Sequence, residues 1–378
     1  MKKIRVLVVD DSVVVRRVIT TALSEDPMIE VIGTAANGRL ALPKVSLLRP
    51  DVITLDIEMP EMDGLATLPH IRKINPRVPI IMFSTLSTPG ASATLDALAA
   101  GATDFCTKPM HIGGLAEGVA MVRAELLPKV KALCGVTNLR PASMLGATLR
   151  PTQTQSTLKA PRPERPVGPP ARVEVVVIGV STGGPTALRA VWDQLPASLP
   201  VPVLVVQHMP PMFTTLLAQR LNDLGNLPMA EGTNGATVVP GRAWLAPGDH
   251  HMTVRREGTS VRVHLDQAPP ENSCRPAADP LFRSAVNVWG KGVLAVVLTG
   301  MGSDGLHGCE AVVGAGGQVL AQDEQTSVVW GMPGQVVHAG LADSVVPLNE
   351  VAATIVARVT GRPTLGQPGR TERAEVRT

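Results

Sequence analysis

A serine, a histidine and an aspartate each close an aliphatic run in the C-terminal half of the sequence. VEVVVIGVSTGG (173 to 184) carries Ser181, VPVLVVQH (201 to 208) carries His208, and GVLAVVLTGMGSDG (292 to 305) carries Asp304. A hydroxyl, an imidazole and a carboxylate are the parts of an activated nucleophile, a base that takes its proton, and a group that orients the base. They cooperate only if they meet in space. Runs this apolar are expected to be strands buried on both faces of a parallel sheet, and such sheets bind ligands at their carboxyl edge. If the three runs are neighbouring strands, that edge collects all three side chains.

Each residue also has a plainer reading. GVSTG (179 to 183) fits G-x-S-x-G, a strand-to-helix turn that exposes the serine hydroxyl, and Pro185 is placed to open the following helix. A dinucleotide-binding loop is the rival, but Ser181 stands where the second glycine of G-x-G-x-x-G must let the backbone approach a pyrophosphate. His208 alone would read as a satisfied core histidine, and Asp304 alone as a turn or capping residue in a glycine-rich loop. Among the other histidines, His264 lies in the alternating run SVRVHLD of an expected hairpin, His250 and His251 follow a turn at APGD, and His307 and His338 end no strand. The chain order Ser, His, Asp differs from the Ser, Asp, His order of α/β-hydrolases, so the motif does not imply that fold.

A second group of polar strand ends lies near the N-terminus. Asp10 and Asp11 follow VLVV, Asp56 follows VITL, Ser84 follows PIIMF, and Lys108 precedes Pro109 after another run. A single strand-end aspartate is ordinarily a cap or turn former. Three carboxylates converging on one edge repel unless a cation holds them, and hard oxygen ligands with open positions suit Mg²⁺, which also engages phosphate. Lys108 could supply a counter-ion and Ser84 a hydroxyl to the same edge.

The positioning elements follow from periodicity. From Lys3 to about Leu127 the strand-like runs IRVLVV, VIGTAA, DVITLD, PIIMFS and TDFCTK alternate with amphipathic stretches, which predicts a doubly wound (βα)5 domain over residues 1 to 127. A last helix is expected over Arg123 to Cys134. Residues 128 to 171 then comprise that helix end and a Pro-rich segment without an apolar face, read from 136 onward as a flexible linker. A second α/β domain, with a mostly parallel sheet, is expected over 172 to 361. Residues 362 to 378 read as a disordered tail.

Composition narrows the function. Aromatics are 2% of the chain, tyrosine is absent and the formal net charge is +3, which argues against stacking platforms or a phosphate-tracking surface and hence against nucleic acid. Cys106, Cys134, Cys274 and Cys309 form no CxxC pair, so neither a disulfide framework nor a zinc site is expected. The opening MKKIRVLVVDD is cut by Asp10 and Asp11 before a signal-peptide core is complete, and no apolar run approaches a membrane span. A cytoplasmic protein without membrane insertion is the expectation.

Two resemblances join these readings. Residues 3 to 125 resemble the receiver domain of two-component response regulators in the acidic pair Asp10 and Asp11, LDIEMPEMDG around Asp56, Ser84, and TKP at 107 to 109. That resemblance implies that a histidine kinase phosphorylates Asp56. It also implies that Asp10, Asp11, Asp56 and the Glu58 backbone carbonyl hold Mg²⁺, and that Ser84 and Phe105, with Lys108, form the switch. Residues 173 to 360 resemble the catalytic domain of chemotaxis protein-glutamate methylesterases in GVSTGG, VQHMP, APGDHHM, CRPAADPLF, LTGMGSDG and SVVWGMPG. This implies a serine hydrolase, independent of any hydrolytic cofactor, that removes methyl esters from chemoreceptor glutamates as methanol and deamidates certain receptor glutamines. Ser181, His208 and Asp304 would be its triad, and the backbone N–H groups of Met301 and Thr182 its oxyanion donors. By the same resemblance, the unphosphorylated receiver covers the catalytic edge. Rival outputs are a DNA-binding domain, for which no basic helix-turn-helix is visible, and a phosphorylation-gated adaptor without catalysis, which would not need all three triad side chains.

Overall fold

The structure, a computed structural model, describes residues 2–108, 114–135 and 171–361. The Pro-rich stretch read as a linker (136 to 170), the tail from Arg362, and Pro109 lie outside the described residues.

The first domain alternates β1 (Ile4–Val9), α1 (Val13–Ser24), β2 (Ile29–Ala35), α2 (Gly38–Leu48), β3 (Val52–Asp56), α3 (Gly64–Ile74), β4 (Ile80–Ser84), α4 (Thr88–Ala99), β5 (Asp104–Thr107) and α5 (Leu115–Leu133). All neighbours in its sheet are parallel, in the order β2-β1-β3-β4-β5. Reversal of strand order between β1 and β3 opens a crevice at their carboxyl ends, where Asp10 and Asp56 stand. Helix α5 starts earlier than the stretch expected from Arg123. Its first turns, LAEGVAM, carry Gly118 and two alanines, which weaken the apolar period that Val119, Val122, Leu126 and Val130 nevertheless bury against the core.

The second domain runs β6 (Val175–Val180), α6 (Gly184–Trp192), β7 (Val203–Gln207), α7 (Phe213–Asp223), β8 (Met229–Glu231), β9 (Ala243–Leu245), β10 (His251–Glu257), β11 (Ser260–Asp266), α8 (Ala278–Trp289), β12 (Val293–Val297), α9 (Leu306–Gly314), β13 (Gln318–Gln322), α10 (Met332–His338), β14 (Ser344–Val346) and α11 (Leu348–Thr360). Its seven-stranded sheet has the order β14-β13-β12-β6-β7-β9-β8, with every pairing parallel, and β10 and β11 form a separate antiparallel hairpin. The three aliphatic runs are thus adjacent strands. Val297 lies opposite Gly179 and Val180 opposite Gln207, so the residues that follow all three strands emerge on one edge. Every residue of β6, β7 and β12 is buried, as strands covered by helices on both faces require.

The two domains pack together through α4 and β5 of the first and α6 and α7 of the second. Phe105 in β5 stacks on Phe213 in α7, and one continuous apolar cluster includes both rings with Leu95, Leu98, Leu217 and Leu221. At the rim, Arg220 Nη1 reaches Asp96 Oδ1 at 2.8 Å and its Nη2 donates to the Ser92 carbonyl at 2.9 Å. Among the described residues, no helix is long and apolar enough to cross a membrane.

Candidate functional site

Ser181 follows β6 on a tight turn. Its N–H donates to the Thr299 carbonyl at 3.0 Å, its carbonyl accepts from Gly184 N at 2.8 Å, and Gly183 takes a left-handed conformation (φ 77°) that lets α6 begin at once. Gln207 Nε2 donates to the same Ser181 carbonyl at 2.9 Å and to the His208 carbonyl at 3.3 Å, so one side chain ties the Ser181 turn to the end of β7. Gly300 packs against Ser181 so closely that a β-carbon there would lie 2.9 Å from Ser181 Cβ.

His208 and Asp304 meet directly: Nε2 lies 2.7 Å from Asp304 Oδ2. The other ring nitrogen, Nδ1, lies 3.4 Å from Cys274 Sγ, and among the described residues no hydrogen bond is formed by the Ser181 hydroxyl. The α8 N-terminus serves the carboxylate, with Ala278 N donating to Oδ2 at 2.6 Å and Asp279 N to Oδ1 at 3.1 Å. Burial alone would push Asp304 up, but the His208 hydrogen bond and charge, with the two α8 amides, hold it below the usual carboxylate range. Burial works against a charged His208, yet the bonds to Asp304 and Cys274 outweigh it and hold the imidazole well above the usual histidine range. Neither Thr182 N nor Met301 N donates a hydrogen bond among the described residues.

The competing histidines are elsewhere. His251 is buried, accepting from Ala277 N at Nδ1 (3.3 Å) and bonding the Pro269 carbonyl through Nε2 (3.2 Å). His250 contacts the Gly248 carbonyl, His307 pairs with exposed Glu310, His338 packs edge-on against Trp330, and His264 sits within β11. None shares the edge with Ser181.

In the first domain, ligand atoms of Asp10, Asp11 and Asp56 lie within 4.8 Å of one another. Lys108 Nζ is 2.6 Å from Asp56 Oδ1, which also accepts from Glu58 N at 3.2 Å. Asp10 Oδ2 and Asp56 Oδ2 are buried without a partner. Burial, and then the Asp56 charge, push Asp10 up to about 7, while burial raises Asp56 against the pull of Lys108. Two orphaned carboxylate oxygens in an acidic cluster are what a hard divalent cation would satisfy, so these residues fit Mg²⁺. The Ser84 hydroxyl turns away from this cluster, donating to the carbonyls of Gly90 (3.0 Å) and Thr85 (3.2 Å), and Phe105 is buried under the second domain.

The first domain also touches the hydrolytic edge. Thr182, next to Ser181, donates through Oγ1 to Asp104 Oδ2 at 3.0 Å, and the same carboxylate oxygen lies 3.3 Å from Lys129 Nζ. Sequence reasoning did not single out Asp104, Phe213, Gln207, Asn272, Cys274 or Asp279. Gln207 lies within the motif VQHMP, and Cys274 and Asp279 within CRPAADPLF, which runs into α8.

A family model described as CheB methylesterase matches residues 176–355, and one described as response regulator receiver domain matches residues 6–120. A protein-glutamate methylesterase/protein-glutamine glutaminase of Trichodesmium erythraeum (strain IMS101) is 48% identical over 359 residues, spanning 95% of this chain and 100% of its own length. One from Nocardioides sp. (strain ATCC BAA-499 / JS614) is 51% identical over 370 residues, 98% of this chain and 99% of its own. The solved Thermotoga maritima CheB methylesterase catalytic domain is 40% identical, with a TM-score of 0.48, covering 49% of this chain and 98% of that one.

Proposed function

The chain belongs to the protein-glutamate methylesterase/protein-glutamine glutaminase family, and we propose that it demethylates and deamidates chemoreceptor side chains through Ser181, His208 and Asp304 under control of phosphorylation at Asp56. The observation that carries the hydrolytic reading is the 2.7 Å contact of His208 Nε2 with Asp304 Oδ2 on the sheet edge that also holds Ser181.

With Nε2 committed to Asp304, Nδ1 is the nitrogen left for proton transfer. Acylation therefore requires Nδ1 to exchange the Cys274 thiol for the Ser181 hydroxyl. Ser181 Oγ attacks the γ-carbonyl carbon of a glutamyl methyl ester as Nδ1 takes its proton, and the oxyanion is received by the N–H groups of Met301 and Thr182. Collapse breaks the C–O bond, and the Nδ1 proton leaves with methoxide as methanol. A water then attacks the acyl carbon, giving one proton to Nδ1, and Ser181 recovers it as glutamate departs. A glutamine amide enters the same acyl intermediate with ammonia leaving. Base and acid transfer of this kind is worth roughly 10² to 10⁴ in rate, and each oxyanion donor about 10² to 10³. Nothing in this sequence of steps calls for a metal.

Receiver domains in general are phosphorylated with Mg²⁺ present. Here Asp10, Asp11, Asp56 and the Glu58 carbonyl would hold the ion, which supplies charge neutralisation for an incoming phosphoryl group from a histidine kinase. Control follows from the interface: the receiver's Phe105 and Asp104 engage Phe213 and Thr182 beside the nucleophile. Phosphorylation of Asp56 adds a dianion next to Lys108 and draws the Ser84 hydroxyl from Gly90, biasing the pair of domains toward separation.

The test is methanol release from methylated receptor fragments by the full chain and Ser181→Ala, each with and without acetyl phosphate. Release that requires Ser181 and rises with acetyl phosphate is expected. Release indifferent to the alanine overturns the assignment of Ser181, and no release from the intact chain under any condition favours a non-catalytic adaptor.

A further inference from the structure

Asp304 is not held by His208 and α8 alone. Its Oδ1 also accepts from Asn272 Nδ2 at 3.1 Å, and the same amide nitrogen donates to Asp279 Oδ2 at 2.9 Å. Asp279 is a second carboxylate with 0% exposure, to which hydrolysis assigns no step, and its Oδ1 accepts from Gly308 N at the start of α9 at 2.6 Å. Among the described residues, Asn272 is the one side chain that hydrogen-bonds both buried acids. We infer that Asn272 is a positioning residue of the hydrolytic centre, whose carboxamide joins Asp304 to Asp279 and fixes the orientation in which Asp304 receives His208. This rests on the hydrolytic reading above.

The residue type suits the place. Two neighbouring buried carboxylates repel, and a primary amide offers two N–H donors without adding charge. The backbone there is left-handed (φ 52° at Asn272, 62° at Ser273), a conformation that asparagine tolerates better than most residues. The turn is closed by reciprocal bonds, Cys274 N to the Glu271 carbonyl at 2.9 Å and Glu271 N to the Cys274 carbonyl at 3.2 Å, and is anchored to α8 by Arg283 and Glu271 at 2.6 Å. Two residues beyond Asn272, the same turn sets Cys274 against His208 Nδ1. Each Asp304 oxygen thus takes two donors, His208 and Ala278 N on Oδ2, Asn272 and Asp279 N on Oδ1. Without Asn272, Oδ1 keeps a single donor and faces Asp279 across an unmediated gap.

The consequence for catalysis is that Asp304 stays ionised and aligned while His208 becomes an imidazolium. The titratable groups around the two acids are His208 after β7 and Cys309 on α9 near Asp304, His307 on α9 near Asp279, and Cys274 in the turn, against His208. Among these, Asn272 supplies the neutral donor that separates the acids. Because Asn272 is solvent-exposed, its replacement leaves the apolar core as it is.

The experiment uses the full chain with acetyl phosphate and a methyl-esterified receptor fragment, reading kcat and KM for methanol release across pH. Asn272→Ala is expected to lower kcat about tenfold with KM little changed, through the loss of its charge-assisted hydrogen bond to Asp304. Asn272→Asp places a third carboxylate on Oδ1 and is expected to lower kcat further and to move the whole kcat/KM profile to higher pH, since added negative charge raises the proton affinity of both Asp304 and His208. The exchange Asn272→Asp with Asp279→Asn restores a donor–acceptor pair between 272 and 279 but not the bond to Asp304, so its activity stays low. Activity restored by the exchange, or a profile that falls in height without moving in pH, would mean that Asn272 only ties the turn and would overturn the proposal. Ser181→Ala runs alongside: if methanol release survives that change the hydrolytic reading itself fails, whereas loss with Ser181→Ala and indifference to Asn272→Asp removes this inference alone.

Discussion

The rings of Phe105 and Phe213 lie parallel within 9°, with centroids 4.6 Å apart, and join the strand that leads into Lys108 to the helix that follows His208. Lys129 completes the stack from the receiver side, its Nζ 5.2 Å from the Phe105 centroid. One aromatic contact thus connects the acidic cluster of one domain with the hydrolytic edge of the other.

Phe105→Ala removes an aromatic pair worth about 0.5 to 1.5 kcal/mol beyond its buried area. If that contact holds the domains closed, methanol release without phosphodonor rises about tenfold and acetyl phosphate stimulates less than in the unaltered chain. Initial rates of both proteins settle it. An unchanged basal rate places the restraint elsewhere in the interface.

Arg220 offers a contrast, because its partner Asp96 is 56% exposed and the pair lies at the rim. Exposed ion pairs contribute about 0 to 1 kcal/mol and are screened by salt. Arg220→Ala should raise basal release by no more than about fivefold, and the difference should shrink as ionic strength increases. A larger effect that persists in high salt would point instead to the Ser92 hydrogen bonds.

The contact between His208 and Asp304 sets the expected pH dependence. Because the His208 pKa lies above its unfolded value, the free base needed for acylation is populated only as pH rises past the usual histidine range, and kcat/KM should climb above neutrality. The pair's contribution to stability has the opposite trend at that end: it is full below about pH 6.5, the unfolded value, and is lost as pH rises through the folded one. For Asp304, whose pKa is depressed, the contribution is present above the ordinary aspartate value and lost as pH falls through the folded one. Asp304→Asn should move the rise in kcat/KM to lower pH while lowering kcat by about 10⁴. Rate–pH and melting–pH profiles of both proteins check these signs.

Gly300→Ala would bring a methyl group to 2.9 Å from Ser181 Cβ and 2.4 Å from Met332 Sδ. The Met332 side chain can swing aside, but relief of the Ser181 contact displaces Ser181, and a shift of about 1 Å at a reacting centre can cost on the order of 10² in rate. The expected result is loss of methanol release with phosphorylation of Asp56 intact, read from ³²P incorporation. Retained activity would show that the Ser181 turn adapts.

Metal removal should separate the two domains' chemistry. With EDTA, acetyl phosphate no longer stimulates release, while the basal rate is unchanged. Since Asp10 is raised to about 7 by burial and by Asp56, binding of Mg²⁺ should release protons near neutrality and weaken as pH falls through that value. Isothermal titration calorimetry in buffers of different ionisation enthalpy measures the proton count. Asp10→Asn should abolish that proton release.

Much of the molecule was legible as pattern. Uninterrupted aliphatic runs become β6, β7 and β12 because strands buried on both faces have no polar alternation to keep, and polar residues at their ends mark the sheet edge. The receiver's strands were readable for the same reason. The sequence pattern places the start of helix α5 too late, because Ala116, Gly118 and Ala120 blur its first turns, and its true extent depends on Val119 and Val122 finding the core that includes residues of β1, β4 and β5.

The sequence by itself determined the strand runs, the turns that end them and the identity of the groups at their tips, because local periodicity and residue chemistry act over a few neighbours. Tertiary structure alone decided that Asp304 meets Nε2 and leaves Nδ1 to Cys274, that Asn272 lies between two buried acids, and that Asp104 and Phe105 of one domain reach Thr182 and Phe213 of the other. Those relations join residues far apart in the sequence, His208 and Asp304 by 96 positions and Asp104 and Thr182 by 78. No local pattern encodes them, because they depend on strand order, on crossover geometry and on which faces are buried together.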